Sequence, residues 1–366
     1  MKKTVCFAIT VGVAFTIFSC NKDTDTPDTE EGNWVRRGHF DGPSRTGGVS
    51  FVINDTAYVG TGFNSSISDA YQNTETGEQL AKSGFMRDFW KLSMPPVSTG
   101  NTQEGYTWTQ VACLPGDTGY RAYAVGFNIG NTGYVGTGIA FDKRTFMKDF
   151  YAFDGAKWTR KADFAGTPRI DAVGFGFGSR GYIATGWDGA NTQKDIYQYN
   201  PEDDTWKSVP SYSGSKRQGA SVFVHKDKAY IFCGFSSQSK VTDMWAMDSS
   251  TLNWTFKGNL INELDDDTKD DNYSDICRQY GSTFTIGNYG YLTAGDVGGS
   301  PVASTWRYDF ENNSWVRRTA LERTSRTRAV GFSVRNRGFV GTGASGSEVM
   351  DDFQEFMPNQ IFNRTD

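Results

Sequence analysis

One line of sequence, "RAYAVGFNIGNTGYVGTG" at 121–138, is written six times with small changes along this 366-residue chain, and the repetition restricts the fold more than any composition does. Each copy opens on an arginine: Arg45, Arg121, Arg169, Arg217, Arg278 and Arg326. Six residues later stands a phenylalanine (Phe51, Phe127, Phe175, Phe223, Phe284, Phe332) and thirteen later an aromatic (Tyr58, Tyr134, Tyr182, Tyr230, Tyr291, Phe339). Seventeen later comes a glycine (Gly62, Gly138, Gly186, Gly234, Gly295, Gly343), and five copies add a tryptophan (Trp108, Trp158, Trp206, Trp254, Trp315). Three of the five arginine-to-arginine intervals are 48 residues, and the others are 76 and 61. A fixed period of about 50 marks a propeller or solenoid array.

Within each copy, β-branched and aromatic residues flank a two-residue pair: Asn54-Asp55, Gly130-Asn131, Gly178-Ser179, Lys226-Asp227, Gly287-Asn288 or Arg335-Asn336. This predicts two strands joined by a tight hairpin turn with positive φ at one or both positions. A third strand fits residues 88–92, 149–153, 195–199, 243–247, 305–309 and 352–356, and the tryptophan marks a fourth. No helical period of useful length interrupts them, so the chain is read as all-β. The repeated Phe, Tyr and Trp are assigned to the core. Flat blades that stack through aromatics and close-approaching glycine backbones also explain how a chain with mean hydropathy −0.53 and 42 glycines can fold.

The order arginine, aromatic, glycine, an acidic residue ahead of an aromatic pair, then tryptophan resembles Kelch-type β-propellers over residues 34–366. The resemblance implies a six-bladed propeller with four antiparallel strands per blade, placed at 33–366. The sixth copy lacks its tryptophan. Trp34 precedes Arg45 by eleven residues, the same gap as Trp158 to Arg169, Trp206 to Arg217 and Trp315 to Arg326, and "NWVRR" at 33–37 nearly repeats "SWVRR" at 314–318. The strand around Trp34 is therefore expected to complete the last blade and close the ring.

Residues 1–19 join two lysines to an apolar run too short to span a membrane and read as a secretion signal. Cys20 follows in what resembles a bacterial lipoprotein cleavage box, and would become the lipidated N-terminus. Residues 20–32 are then a polar, acidic, disordered tether. Acidic residues so close to the cysteine resemble exported surface lipoproteins of Bacteroidetes. The expected location is the outer membrane, facing outward, with the periplasm as the alternative. Loss of Lys2 and Lys3 with the leader takes the net charge from −5 to −7, which disfavours nucleic acid as a partner. Cys233 is read as a buried thiol, and no disulfide is expected between Cys113 and Cys277, which fall three blades apart.

If each arginine begins an innermost strand at one face, the hairpin turns lie on the other, and the length variation is expected to fall on the arginine face. Blade 1 carries an insertion at 63–87, blade 2 a shorter one at 139–148, and the link from Trp254 to Arg278 is long. Elaborated loops on one side of a rigid scaffold make that side the expected binding face. Two residues past each arginine the copies diverge to Gly47, Tyr123, Asp171, Gly219, Tyr280 and Arg328. Tyr123, Asp171, Tyr280 and Arg328 are the ligand candidates, since tyrosines can stack on sugar faces and an arginine can pair with a carboxylate. The alternative is that they are solvated or inter-blade residues. The six repeat arginines carry two readings as well, structural ties to loop carbonyls or ligand-facing groups. "DDDTKDDN" at 265–272 reads as a solvated acidic loop sooner than a calcium site, because it lacks alternating ligand spacing and a central glycine.

Galactose oxidase resembles this kind of propeller but needs two histidine ligands. Here His39 and His225 are the only histidines and fall toward opposite faces, so no metal or other cofactor is expected. No Ser or Cys stands in a nucleophile motif. Two functions remain. The first is a non-catalytic, surface-tethered module that binds a glycan or a protein. The second is a carbohydrate enzyme similar to N-acetylneuraminate epimerase, a sialic-acid mutarotase in which arginines would hold the sugar carboxylate, although no motif here transfers a catalytic acid.

Overall fold

Each repeat folds as its spacing predicts. In the computed structural model, which describes residues 31–98, 104–237, 239–261 and 273–363, six innermost strands surround a central channel: Val49–Ile53, Val125–Ile129, Val173–Phe177, Ser221–His225, Ser282–Ile286 and Val330–Val334. The expected leader, Cys20, the expected tether as far as residue 30 and the acidic run at 265–272 lie outside the described residues. Each innermost strand pairs antiparallel with the strand beyond its tight turn. Both turn residues take positive φ at Asn54-Asp55 and Arg335-Asn336, and only the first does so in the other four.

The register puts Phe51 directly opposite Tyr58, with the rings stacked at 5.4 Å, and the same pairing recurs as Phe127–Tyr134, Phe175–Tyr182, Phe284–Tyr291 and Phe332–Phe339. Such pairs gain about 0.5–1.5 kcal/mol beyond their burial. Each phenylalanine also presses on the neighbouring blade. A Cβ on Gly133 would come within 2.3 Å of the Phe51 ring, and one on Gly338 within 2.0 Å of Phe284, so glycine is required at these two approaches, whereas Ala57 and Ala229 fill the same position in blades 1 and 4.

The last blade is completed from the other end of the chain. Asp352–Ile361 pairs on its inner side with Arg337–Gly341 and on its outer side with Glu31–His39, which places Trp34 opposite Phe356. Trp34 is fully buried, and its indole N–H donates to the Thr319 carbonyl of blade 5 at 3.0 Å. Trp158, Trp206 and Trp254 make the same bond to Ala112, Pro210's counterpart Ala162, and Pro210 itself in their preceding blades. The N-terminal strand thus fills a regular repeat position as the outer strand of the last blade, and the ring closes.

A buried carboxylate clasps this joint. Glu355 accepts from Arg37 Nε at 2.7 Å, from Arg337 at 2.6 and 2.8 Å, and from the Tyr106 hydroxyl at 3.1 Å, so one side chain ties the N-terminal strand, blade 6 and a blade 1 loop together. Burial works against its charge, but the Arg337 hydrogen bonds and the fields of Arg37 and Arg337 outweigh it and hold the carboxyl below the usual range. Because the folded pKa is depressed, the stabilisation is fully present above the unfolded value of 4.5 and is lost as pH falls through the lower folded value. Asp149 and Asp352, depressed below 3.8, act in the same direction. Melting temperature is therefore expected to drop steeply below about pH 4, and Glu355→Gln to flatten part of that drop in melts recorded from pH 7 to pH 3.

Candidate functional site at the channel mouth

The six repeat arginines come first, because their position decides what the mouth can present. All are 0–1% exposed. Each donates from Nη1 to the carbonyl sixteen residues ahead, as Arg45 does to Thr61 at 3.0 Å and Arg326 to Thr342 at 3.1 Å. In five blades the guanidinium also meets an aspartate at the start of the third strand: Arg45–Asp88, Arg121–Asp149, Arg169–Asp195, Arg217–Asp243 and Arg326–Asp352. Blade 5 has Ser304 at that place. There Arg278 bonds Ser304 Oγ at 2.8 Å, and Asp275 from the preceding link supplies a carboxylate at 3.7 Å. Burial with this weaker partner pulls the Arg278 pKa down to about 10. Full burial removes Arg45, Arg121, Arg169, Arg217, Arg278 and Arg326 from the ligand candidates. They pin the turn in which the second strand ends, and they do not reach the surface.

The conserved-in-register glycine does the joining between blades. Its N–H donates to the carbonyl of the next blade's arginine, from Gly62 to Arg121 at 2.8 Å around to Gly343 to Arg45 at 2.8 Å. Two residues past the arginines a second circle forms. Gly47, Tyr123, Asp171, Gly219, Tyr280 and Arg328 each donate an N–H to the carbonyl of the same position one blade earlier, at 2.8–3.2 Å, and the circle closes on itself. All six take a left-handed conformation, φ 55–61°. Glycine adopts it freely, whereas each of the other four residues bears a local cost of about 1–2 kcal/mol.

Their side chains meet over the channel. Arg328 of blade 6 reaches across to Asp171 of blade 3 in a bidentate pair at 2.5 and 3.0 Å. Its guanidinium lies between the rings of Tyr280, 3.6 Å from the centroid, and Tyr123, 4.2 Å away. The two glycines make room for those rings: a Cβ on Gly47 would sit 2.4 Å from Tyr123, and one on Gly219 2.5 Å from Tyr280. Burial outweighs the other influences on Tyr280 and pushes its hydroxyl up to about 12, with Asp171 adding to the rise. For Arg328 burial opposes the charge, yet Asp171 more than restores it. The four divergent residues are thus brought together as a stacked, charge-paired plug. Beneath it the channel holds a cavity of about 180 Å³ lined by small residues at 48–50, 124–126, 172–174, 220–222, 281–283 and 329–331.

The length variation is not confined to the arginine face: blade 1 also has a long link between Phe89–Ser93 and Thr107–Val111, on the hairpin-turn face, where Arg335 and Arg337 donate to the Met94 and Pro95 carbonyls. Sequence reasoning also missed what surrounds the plug. Tyr123 belongs to one apolar cluster with Phe63, Phe85, Tyr120 and Phe141, which carries the aromatic surface outward over blades 1 and 2. Farther on, Phe146 packs edge-on against Trp187 of blade 3 at 5.4 Å. Phe63, Phe141, Phe146 and Trp187 are half-buried, with part of each ring open to solvent. Lys82 lies 4.0 Å from the Phe141 centroid, and Lys143 5.1 Å from that of Phe63. The blade 1 insertion is packed into this surface: Tyr71 donates to Asp88 at 3.3 Å, and Arg87 pairs with Glu78 at 2.8 Å. The two histidines are at opposite ends of the blades. His39 bonds Asp351 at 2.9 Å, and His225 stacks on Phe310 at 4.2 Å beside a hollow of about 400 Å³ on the hairpin-turn face. Among the described residues, no three His, Cys, Asp or Glu side chains gather as a metal site.

Fold and mouth together define a six-bladed β-propeller with Kelch-type blades. Residues 182–211, the second to fourth strands of blade 3, match the Kelch motif. A solved structure titled "Structure of YjhT" is similar, with a TM-score of 0.64 and 16% identity over 86% of this chain and 95% of that one. At that identity the likeness speaks to fold alone, and 754 solved chains match, so it does not select a function. A search of the curated proteins found no match.

Proposed function

We propose that this protein is a binding module that takes a glycan on its arginine face, with Tyr123, Tyr280 and Arg328 as the floor and the loops of blades 1 to 3 as the walls. The observation that carries the reading is the continuity of the partly buried rings Phe63 and Phe141 with the Tyr–Arg–Tyr stack, with Phe146 and Trp187 beyond them. Planar rings beside polar and cationic groups suit the apolar faces and hydroxyls of a sugar. A dry protein interface is less well matched. Among the described residues, the large apolar side chains more than a third exposed are Val97, Phe256, Ile261 and Ile361, and none of these lies in a loop that follows a blade glycine.

Acid–base sugar chemistry has less support at this mouth, which presents one carboxylate saturated by one arginine in place of an acid facing several arginines. Anchoring through Cys20 at the cell surface would present such a face to external glycans and is part of the proposal; the tether would end at residue 30, because Glu31 and Gly32, expected in the tether, belong to the closing strand. The purified protein is expected to bind on an array of bacterial and host glycans, and Trp187→Ala to weaken the hit at least tenfold while leaving the melting temperature within a few degrees. Silence across the array, with a partner captured instead by cross-linking on whole cells, would replace the glycan with a protein ligand.

A further inference from the structure

Three cysteines stand among the described residues, and the fold brings two of them together. Cys233 occupies the left-handed position (φ 57°) that ends the second strand of blade 4, just before the glycine whose N–H bonds Arg278 of blade 5. Cys277 is the residue immediately before that arginine. The inter-blade bond from Gly234 to Arg278, at 2.8 Å, therefore sets these two positions side by side.

Contacts fix them further. The Cys233 thiol reaches the carbonyl of Ile276, the residue preceding Cys277, at 3.2 Å, and the Cys277 thiol reaches Leu260 at 2.9 Å. The two cysteines share one buried cluster. At the five equivalent junctions the facing pairs are Thr61 and Tyr120, Thr137 and Pro168, Thr185 and Lys216, Ala294 and Ser325, and Thr342 and Ser44. Cysteine at both positions occurs only where the link between blades is long and carries the acidic run at 265–272.

We infer that Cys233 and Cys277 are a disulfide-forming pair that staples blade 4 to blade 5 across the base of this link. In the closing step each thiol gives up its proton, a sulfur–sulfur bond forms, and two electrons pass to the disulfide of an oxidant such as oxidised glutathione or a thiol–disulfide oxidoreductase, which leaves as two thiols. Both sulfurs are buried (0 and 3% exposed), so closure belongs to folding, before the two blades pack. The crosslink would stabilise by restricting the unfolded chain.

The test is to refold the purified protein in a buffer of oxidised and reduced glutathione, block free thiols under denaturing conditions and map peptides without reduction. The expected result is one crosslinked peptide pair containing Cys233 and Cys277, Cys113 alkylated, and a melting temperature about 5 °C or more above that of the dithiothreitol-treated protein. Cys277→Ser is expected to melt at the same temperature with and without reductant. Recovery of Cys233 and Cys277 both alkylated, or a crosslink that involves Cys113, would overturn the inference.

Discussion

Replacing Trp34 with alanine will lower the melting temperature by on the order of 5–10 °C, and deleting Glu31–His39 will lower it further. Trp34 is completely buried, touches Phe284 of blade 5 at 5.9 Å and Phe356 of blade 6 at 4.9 Å, and satisfies the Thr319 carbonyl. Truncating a buried tryptophan costs about 3–5 kcal/mol. Deletion adds two penalties: Asp352–Ile361 becomes an open edge, and the Glu355 carboxylate loses Arg37. Differential scanning calorimetry on both variants gives the answer, and a deletion variant that melts with the intact protein would mean that the ring does not depend on its N-terminal strand.

The second large effect is expected at Asp88. Its carboxylate pairs with Arg45 at 2.8 Å in a site where both side chains are 0% exposed, and it also accepts from Trp90 at 2.7 Å and from Tyr71. Asp88→Ala leaves a guanidinium in the protein interior without its counter-charge, and breaking a buried pair in this way costs about 3–5 kcal/mol. Asp195 pairs with Arg169 at a site where the carboxylate is 33% exposed, so Asp195→Ala should cost clearly less, because water can replace part of the lost interaction. Equal losses in the two variants, measured by chemical denaturation, would contradict the assignment of the arginines as buried framework charges.

How much of this was legible in the sequence varies with how local each feature is. Blade number, turns and ring closure follow from a register that never slips, and Trp34 was recognisable because its spacing to Arg45 repeats that of three other tryptophans. The arginine partners were half-visible. An aspartate stands 26 residues after Arg169, Arg217 and Arg326, but insertions move it in blades 1 and 2, and blade 5 replaces it with Ser304. Divergence marked Tyr123, Asp171, Tyr280 and Arg328, yet nothing in the spacing says that Arg328 is long enough to cross the channel to Asp171. The aromatic surface had a readable signal that was passed over: the residue after the blade glycine is Phe63, Trp187 and Phe235 in three of the six copies. The nearness of Cys233 and Cys277 had none, because it depends on which backbone groups join two consecutive blades.

Hydrogen exchange followed with and without the ligand that the glycan array or cross-linking returns is the most direct test of the central claim. Slower exchange is predicted in the arginine-face loops, at 139–146 and 187–193 and at the channel mouth around Tyr123 and Tyr280, with the hairpin turns unchanged. Protection confined to the turn at 225–228 and its neighbour around Asn288, beside the hollow on the opposite face, would contradict the account and move the binding site to the other end of the propeller.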